Sequence, residues 1–193
     1  IFGKVEHEVL KGSKEDLKVL KIKVEEKATG EIMAGAGVGT DGTSFQFAVK
    51  ENNWLGRGMK LESSLNVSEE KISGNILVDN PNYNYTGNGV RVALDVSSTD
   101  RSTSSGFKSS KTGFLLGTNF EQYENFYISP SLTIALEDIE VDSTASDQIK
   151  KMDGNFFNSD LGYSITVDKR NQVFKPTKGH KTTFRQSLPL IQD

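Results

Sequence analysis

The chain has 193 residues, 35% of them hydrophobic, a formal charge of -3 and no cysteine. That composition excludes disulfide scaffolds and thiolate metal sites, and the slightly acidic balance gives no electrostatic footprint for nucleic acid. No stretch approaches the roughly 18 apolar residues of a spanning helix, but a barrel strand needs only about 9–11 alternating ones, so strands stay open as a way across a bilayer.

Residues 1–28 carry two runs, Phe2 to Leu10 and Leu17 to Glu26, around the polar turn Lys11-Gly12-Ser13-Lys14-Glu15-Asp16. The apolar phase of the second run is mixed, and the charge is dense. The pattern predicts a water-facing hairpin that needs a partner to cover its apolar side. Ala28-Thr29-Gly30 is the expected boundary. The start at Ile1-Phe2-Gly3 without methionine, the missing signal peptide and the end at Pro189-Leu190-Ile191 suggest a piece of a longer protein.

From Thr29 to Gly58 the sequence predicts a glycine-rich strand, a tight turn around Asp41-Gly42, a second strand and an aromatic turn at Asn53, Trp54, Leu55 and Gly56. Phe45, Phe47 and Val49 share one face of the second strand, and Gln46, Ala48 and Lys50 share the other. That two-residue period is the mark of a strand with one apolar and one polar side. Further strands are predicted at Met59 to Val67, Ile72 to Val78, Val90 to Val96, Gly113 to Phe120, Ile128 to Leu136, Leu161 to Val167 and Lys181 to Leu188.

The apolar phase of these strands contains no Lys, Arg, Asp or Glu. In a soluble sandwich that face is the core, and alternation alone leaves this open. In an outer-membrane barrel the face meets lipid, where Lys or Arg at mid-depth costs about 2–4 kcal/mol. The connections favour the barrel. Asn52 to Gly58, Asn80 to Asn88, Gln122 to Asn125 and Lys169 to Gly179 alternate with Thr40 to Thr43, Ser68 to Lys71, Ser98 to Thr112 and Asp138 to Asn155. The second set holds the two longest loops, both polar. Trp54, Tyr83, Tyr85, Tyr123, Phe126 and Phe174 fall with the first set, as an interfacial girdle requires.

Other motifs carry little. Gly35-x-Gly37-x-Gly39 has the wrong spacing for a nucleotide loop and no helix follows. It reads as a strand that is poorly packed and open to close approach, a weak place for any seam. Ser105-x-x-Lys108 and Lys111-Thr112-Gly113 overlap in one serine-rich loop, where an acyl-enzyme site needs separate elements. His7 and His180 are the only histidines and have no cysteine partners, so no metal site is expected. Asn66-Val67-Ser68 and Asn84-Tyr85-Thr86 match a glycosylation sequon by chance. Glu69-Glu70 and Glu137-Asp138 sit at loop edges with no apolar pocket implied, so the chain is not expected to be an enzyme.

Four segments, VEEKATGEIMAGAGVGTDG, FAVKENNWLGRG, VDNPNYNYTGNGV and VDKRNQVFKPTKGH, stand in order along the chain. Together they resemble the BamA family of outer-membrane β-barrel assembly factors, with TamA a close relative. The resemblance implies an all-β, antiparallel transmembrane barrel, with about nine strands in an incomplete N-terminal portion over residues 29–193. It implies that residues 1–28 are the end of the last POTRA domain, in the periplasm. Glu31, Ile32, Met33, Ala34, Gly35, Ala36, Gly37, Val38 and Gly39 would form the first strand and lateral gate. Asn53, Trp54, Leu55 and Gly56 would form the first periplasmic turn, Asn80, Pro81 and Tyr83 the second, and Asp168, Arg170, Phe174, Pro176 and Gly179 the fourth.

The function so implied is insertion of unfolded outer-membrane proteins, with the Bam lipoproteins and outer-membrane lipids as partners and no cofactor. The rival expectations are a TamA-like autotransporter assembly factor, a passive porin-like channel and a soluble β-sandwich binding module.

Overall fold

The computed structural model describes residues 2–14, 16–39 and 42–192. The expected turn at Asp41, with Thr40 beside it, lies outside the described residues. Two sheets are present. β1 (Phe2–Lys11) and β2 (Lys18–Glu26) form an antiparallel ribbon of their own. Its register resolves the mixed phase of the second run: Val5 lies opposite Val24, His7 opposite Ile22 and Val9 opposite Leu20. Those apolar side chains share one face and are exposed.

The second sheet has nine strands. They are β3 (Gly30–Gly39), β4 (Gly42–Trp54), β5 (Met59–Ser68), β6 (Lys71–Tyr83), β7 (Asn88–Arg101), β8 (Phe107–Tyr123), β9 (Phe126–Val141), β10 (Gly154–Asp168) and β11 (Lys181–Gln192). Each pairs antiparallel with its neighbours in sequence, so the sheet is an unbroken meander ending in β3 on one side and β11 on the other. One short helix, α1 (Asp147–Lys150), interrupts the connection before β10.

The register carries one consequence across eight of the nine strands, β3 to β10. Ile32, Val49, Ser63, Ile76, Leu94, Phe114, Ile134 and Ser159 stand opposite one another in a single cross-strand row. The next row on that face runs Ala34, Phe47, Leu65, Gly74, Val96, Thr112, Leu136 and Phe157. Because the side-chain period is two, the alternation in each strand adds up to one continuous apolar surface. The opposite face carries Lys50–Glu62 at 3.1 Å, Arg91–Asp79 at 2.8 Å and Lys111–Glu137 at 3.3 Å.

Among the described residues nothing covers the apolar surface. Phe47 is 53% exposed, Phe114 40% and Leu136 56%, and among the described residues no large side chain is fully buried. A soluble sandwich needs a second layer and a dry interior, and the described residues supply neither. The charge-free band is bounded at one end by Glu51, in the row of Leu61 and Val92, and at the other by Asp138, in the row of Ser98 and Ser110, with Asp100, Lys108 and Glu140 in the row beyond. Along β7 itself this phase is free of charge from Val90 to Ser98, about 27 Å along the strand at roughly 3.4 Å per residue. Tilted as barrel strands are, that gives about 20 Å of height, close to the apolar band of an outer-membrane barrel.

The strands are longer than alternation alone indicates. β7 and β8 continue pairing to Arg101 opposite Phe107, so most of the expected loop Ser98 to Thr112 is ladder and only residues 102–106 turn. Likewise β9 runs to Val141, which shortens the expected loop Asp138 to Asn155 to residues 142–153. Polar alternation beyond the apolar band reads as loop, yet backbone pairing does not need apolar side chains. The same holds for Asn80, Pro81 and Tyr83, which finish β6 and leave the turn to residues 84–87.

Candidate functional site

In an antiparallel meander alternate connections lie at the same end. One end, the turn rim, carries residues 55–58, 84–87, 124–125 and 169–180. The other, the loop rim, carries 69–70, 102–106 and 142–153. Trp54, Tyr83, Tyr85, Tyr123, Phe126 and Phe174 all fall at or beside the turn rim. The Tyr123 and Phe126 rings stand 6.1 Å apart across the β8–β9 turn.

β3 is one of the two free edges of the sheet, β11 being the other. Glu31 to Gly39 pair with β4 only, from Glu31 opposite Lys50 to Gly39 opposite Gly42. Ile32 is 85% and Val38 87% exposed, well above the 46–53% of Phe45, Phe47 and Val49 in the next strand. Met33 shares the polar face, and Ala34 and Ala36 the apolar one. A Cβ built on Gly35 or Gly39 would meet nothing within 4 Å, and one on Gly37 would touch only the Ser44 Oγ at 3.6 Å. These glycines therefore make no room for a close neighbour among the described residues. Their effect is to remove side chains from the edge.

Two turns at the turn rim are copies of each other. Asn53 to Gly58 and Asn82 to Gly87 each place an Asn first, an aromatic second and a Gly last. The Gly56 N–H donates to Asn53 O at 2.9 Å and Tyr85 N–H to Asn82 O at 3.1 Å. The Asn53 Oδ1 accepts from Gly58 N–H at 2.7 Å, and the Asn82 Oδ1 from Gly87 N–H at 2.8 Å. Leu55, Gly56 and Gly58 have positive φ in the first copy, and Asn84, Tyr85 and Gly87 in the second. A bulge precedes both, between Glu51 and Trp54 and between Asn80 and Tyr83. Asn80 contributes there through its Oδ1, which accepts from Asn82 N–H at 3.1 Å.

The 169–180 connection continues the β10–β11 ladder, with Lys169 N–H on His180 O at 2.9 Å and Asn171 N–H on Lys178 O at 3.0 Å. Arg170 makes a two-pronged contact with Asp168, at 2.7 and 2.6 Å, which raises the guanidinium pKa further. Gly179 has φ +89°, and a Cβ there would lie 1.9 Å from Lys169 O, so only glycine fits. Phe174, followed by Pro176, sits at the exposed tip, with the Lys175 Nζ 5.4 Å from its ring centre. The motif residues of the three turns are thus spread along one rim and serve local turn geometry, and Pro81 also lines the trough on the polar face.

On the polar face, Arg91, Gly117, Ser131, Gly162 and Ser187 form one row across five strands. The small side chains of its glycines and serines leave a trough of about 660 Å³ beside the Asp79–Arg91 pair. An open polar concavity on one side and a bare apolar band on the other define part of a transmembrane β-barrel, seen with its wall unrolled.

The comparisons agree. Residues 53–191 match the Omp85 superfamily domain, and the chain belongs to that family of outer-membrane barrel assembly proteins. The fold is similar to the crystal structure of BamA from Haemophilus ducreyi lacking POTRA domains 1-3, with a TM-score of 0.69 and 19% identity. That alignment covers 98% of this chain and 39% of the BamA chain, so the chain spans well under half of its neighbour.

Three features escaped the sequence reading. The copied turns are spaced 29 residues apart, Asn53 to Asn82 and Gly58 to Gly87, and that spacing was legible. The Glu69-Glu70 pair ties hairpins together at the loop rim, and Glu51 ties Thr29 at the turn rim. Single acidic residues near turns are too common for sequence to mark these.

Proposed function

We propose that this chain is the gate-bearing portion of an outer-membrane insertase, with β3 as the strand that opens toward the bilayer. On this reading residues 1–28 belong to a periplasmic POTRA domain and the turn rim faces the periplasm. Unfolded outer-membrane proteins are the substrates, and Bam-type lipoproteins and outer-membrane lipids are the partners. The observation that carries the reading is the free ladder edge of β3, flush with a charge-free band. Unpaired strand N–H and C=O groups in hydrocarbon cost several kcal/mol each, so such an edge must be closed by a partner strand or offered to one. An incoming strand that pairs there adds to the sheet by β-augmentation, with no covalent change.

The test is a pair of cysteines that locks β3 to the closing strand of the full-length protein. The lock should stop insertion of a model barrel into proteoliposomes, and reductant should restore it. Insertion at the unlocked rate, with the disulfide fully formed, would remove the proposal.

A further inference from the structure

Thr29 is where the chain passes from the N-terminal ribbon into β3. Its hydroxyl donates to Glu51 Oε1, and its carbonyl accepts from Asn52 N–H at 3.2 Å and from Asn52 Nδ2 at 3.0 Å. The same Glu51 oxygen accepts from Asn53 N–H at 2.7 Å, and Asn53 closes the first copied turn through Gly58. A connected set of hydrogen bonds therefore joins the foot of β3 to the turn rim. Glu51 is also the one carboxylate that β4 places on the apolar phase, opposite Leu61. A half-buried carboxylate there is costly unless hydrogen-bonded, and bonds to an ionised acceptor are the strong ones. Gly30 leaves it space, since a Cβ there would lie 2.9 Å from Glu51 Oε2.

Among the described residues the other half of β3 is held more lightly, by the Ser44 hydroxyl donating to Gly37 O at 3.4 Å. Gly35, Gly37 and Gly39 carry no side chains to pack on β4, and the far end is met by Glu69 Oε1 accepting from Thr43 N–H at 3.1 Å. The strand is thus fastened by two side-chain hydrogen bonds at its foot and, among the described residues, by a single long one toward the loop rim.

We infer that Glu51 is a positioning residue that latches the foot of the gate strand, so that the β3 edge loosens from its Gly35–Gly39 half while Gly30–Ala34 stay paired. This rests on the reading of β3 as the gate.

Hydrogen exchange on the full-length protein in nanodiscs tests it. In the unaltered protein, amides of residues 35–39 should exchange about tenfold faster than those of 30–34. Glu51→Ala should raise exchange at 30–34 by about tenfold while leaving residues 88–101 unchanged, which shows that the barrel is folded. Thr29→Val should act in the same direction. Glu51→Gln keeps an acceptor oxygen but loses the charge, and should raise exchange at 30–34 by only about threefold, clearly less than the Ala variant. Exchange at 30–34 that ignores Glu51→Ala, or a Gln variant as loose as the Ala variant, would overturn the latch. Exchange does not depend on insertion. An ineffective cysteine lock would therefore remove the gate reading alone, whereas unresponsive exchange would remove the latch alone.

Discussion

Arg101 and Glu70 belong to different hairpins, and the Arg101 Nε donates to Glu70 Oε2 at 2.9 Å across the loop rim. The Ser104 hydroxyl joins the same carboxylate at 3.2 Å, and Asp100 N–H donates to Glu70 O at 2.8 Å. Next door, Glu69 accepts from Thr43 N–H. A two-residue turn thus holds the β3–β4 hairpin with one side chain and the β7–β8 hairpin with the other.

Arg101→Ala should cost about 1 kcal/mol, since both partners are roughly one-third exposed and water weakens the pair. The loss should appear as faster amide exchange at residues 100–106, with the turn at residues 53–58 unchanged.

Asn53→Ala and Asn82→Ala should have nearly equal effects, because the two side chains make the same bond in the same turn. Each should lower barrel stability by about 1 kcal/mol, read as a lower temperature for the heat-induced gel shift. Asp at either position keeps the acceptor and should recover most of the loss. A large effect from one and none from the other would show that the turns are alike in shape only.

Leu94→Arg places a charge mid-band on the apolar face and should cost about 2–4 kcal/mol. Ser64→Arg, on the polar face between Ala48 and Asn75, should fall well below that. Reconstitution yields in lipid order the two variants, and the reverse order would mean that the faces are assigned backwards.

Gly35→Val adds a strand-forming side chain where nothing lies within 4 Å. It should stabilise the β3–β4 pairing by up to about 1 kcal/mol and slow insertion. Greater stability with an unchanged insertion rate would show that a weak edge is not what the activity uses.

Gly179→Ala should open the 169–180 hairpin, since the new methyl collides with Lys169 O. Chymotrypsin cleavage after Phe174 should quicken while β10 and β11 remain protected.

Strand existence and face assignment were legible because the two-residue period survives in every strand: Val90, Val92, Leu94 and Val96 announce theirs without help. Strand ends were not. Beyond Val96 the face carries Ser98 and Asp100, polar residues that pair through their backbones as well as Leu94 does. The apolar face of β2 was hidden for a different reason, since Leu20, Ile22 and Val24 find their companions Val5 and Val9 only through a partner strand. The Thr29–Glu51 contact joins residues 22 apart, and no local pattern encodes it.

Three of the four bulges in the nine-stranded sheet lie next to the turn rim, after Glu51, Asn80 and Glu121. Extra residues are absorbed there, outside the lipid zone, and no shift interrupts the middle of the pairings from β3 to β10; the fourth bulge, at Ser159 and Asp160, falls in the band where β10 meets the last strand, β11. Deleting Ser63 alone would swing Leu65 and Val67 into the water-filled side and push Ser64 and Asn66 against acyl chains. Length changes should therefore be tolerated beside Trp54 and Tyr83 and be ruinous ten residues away.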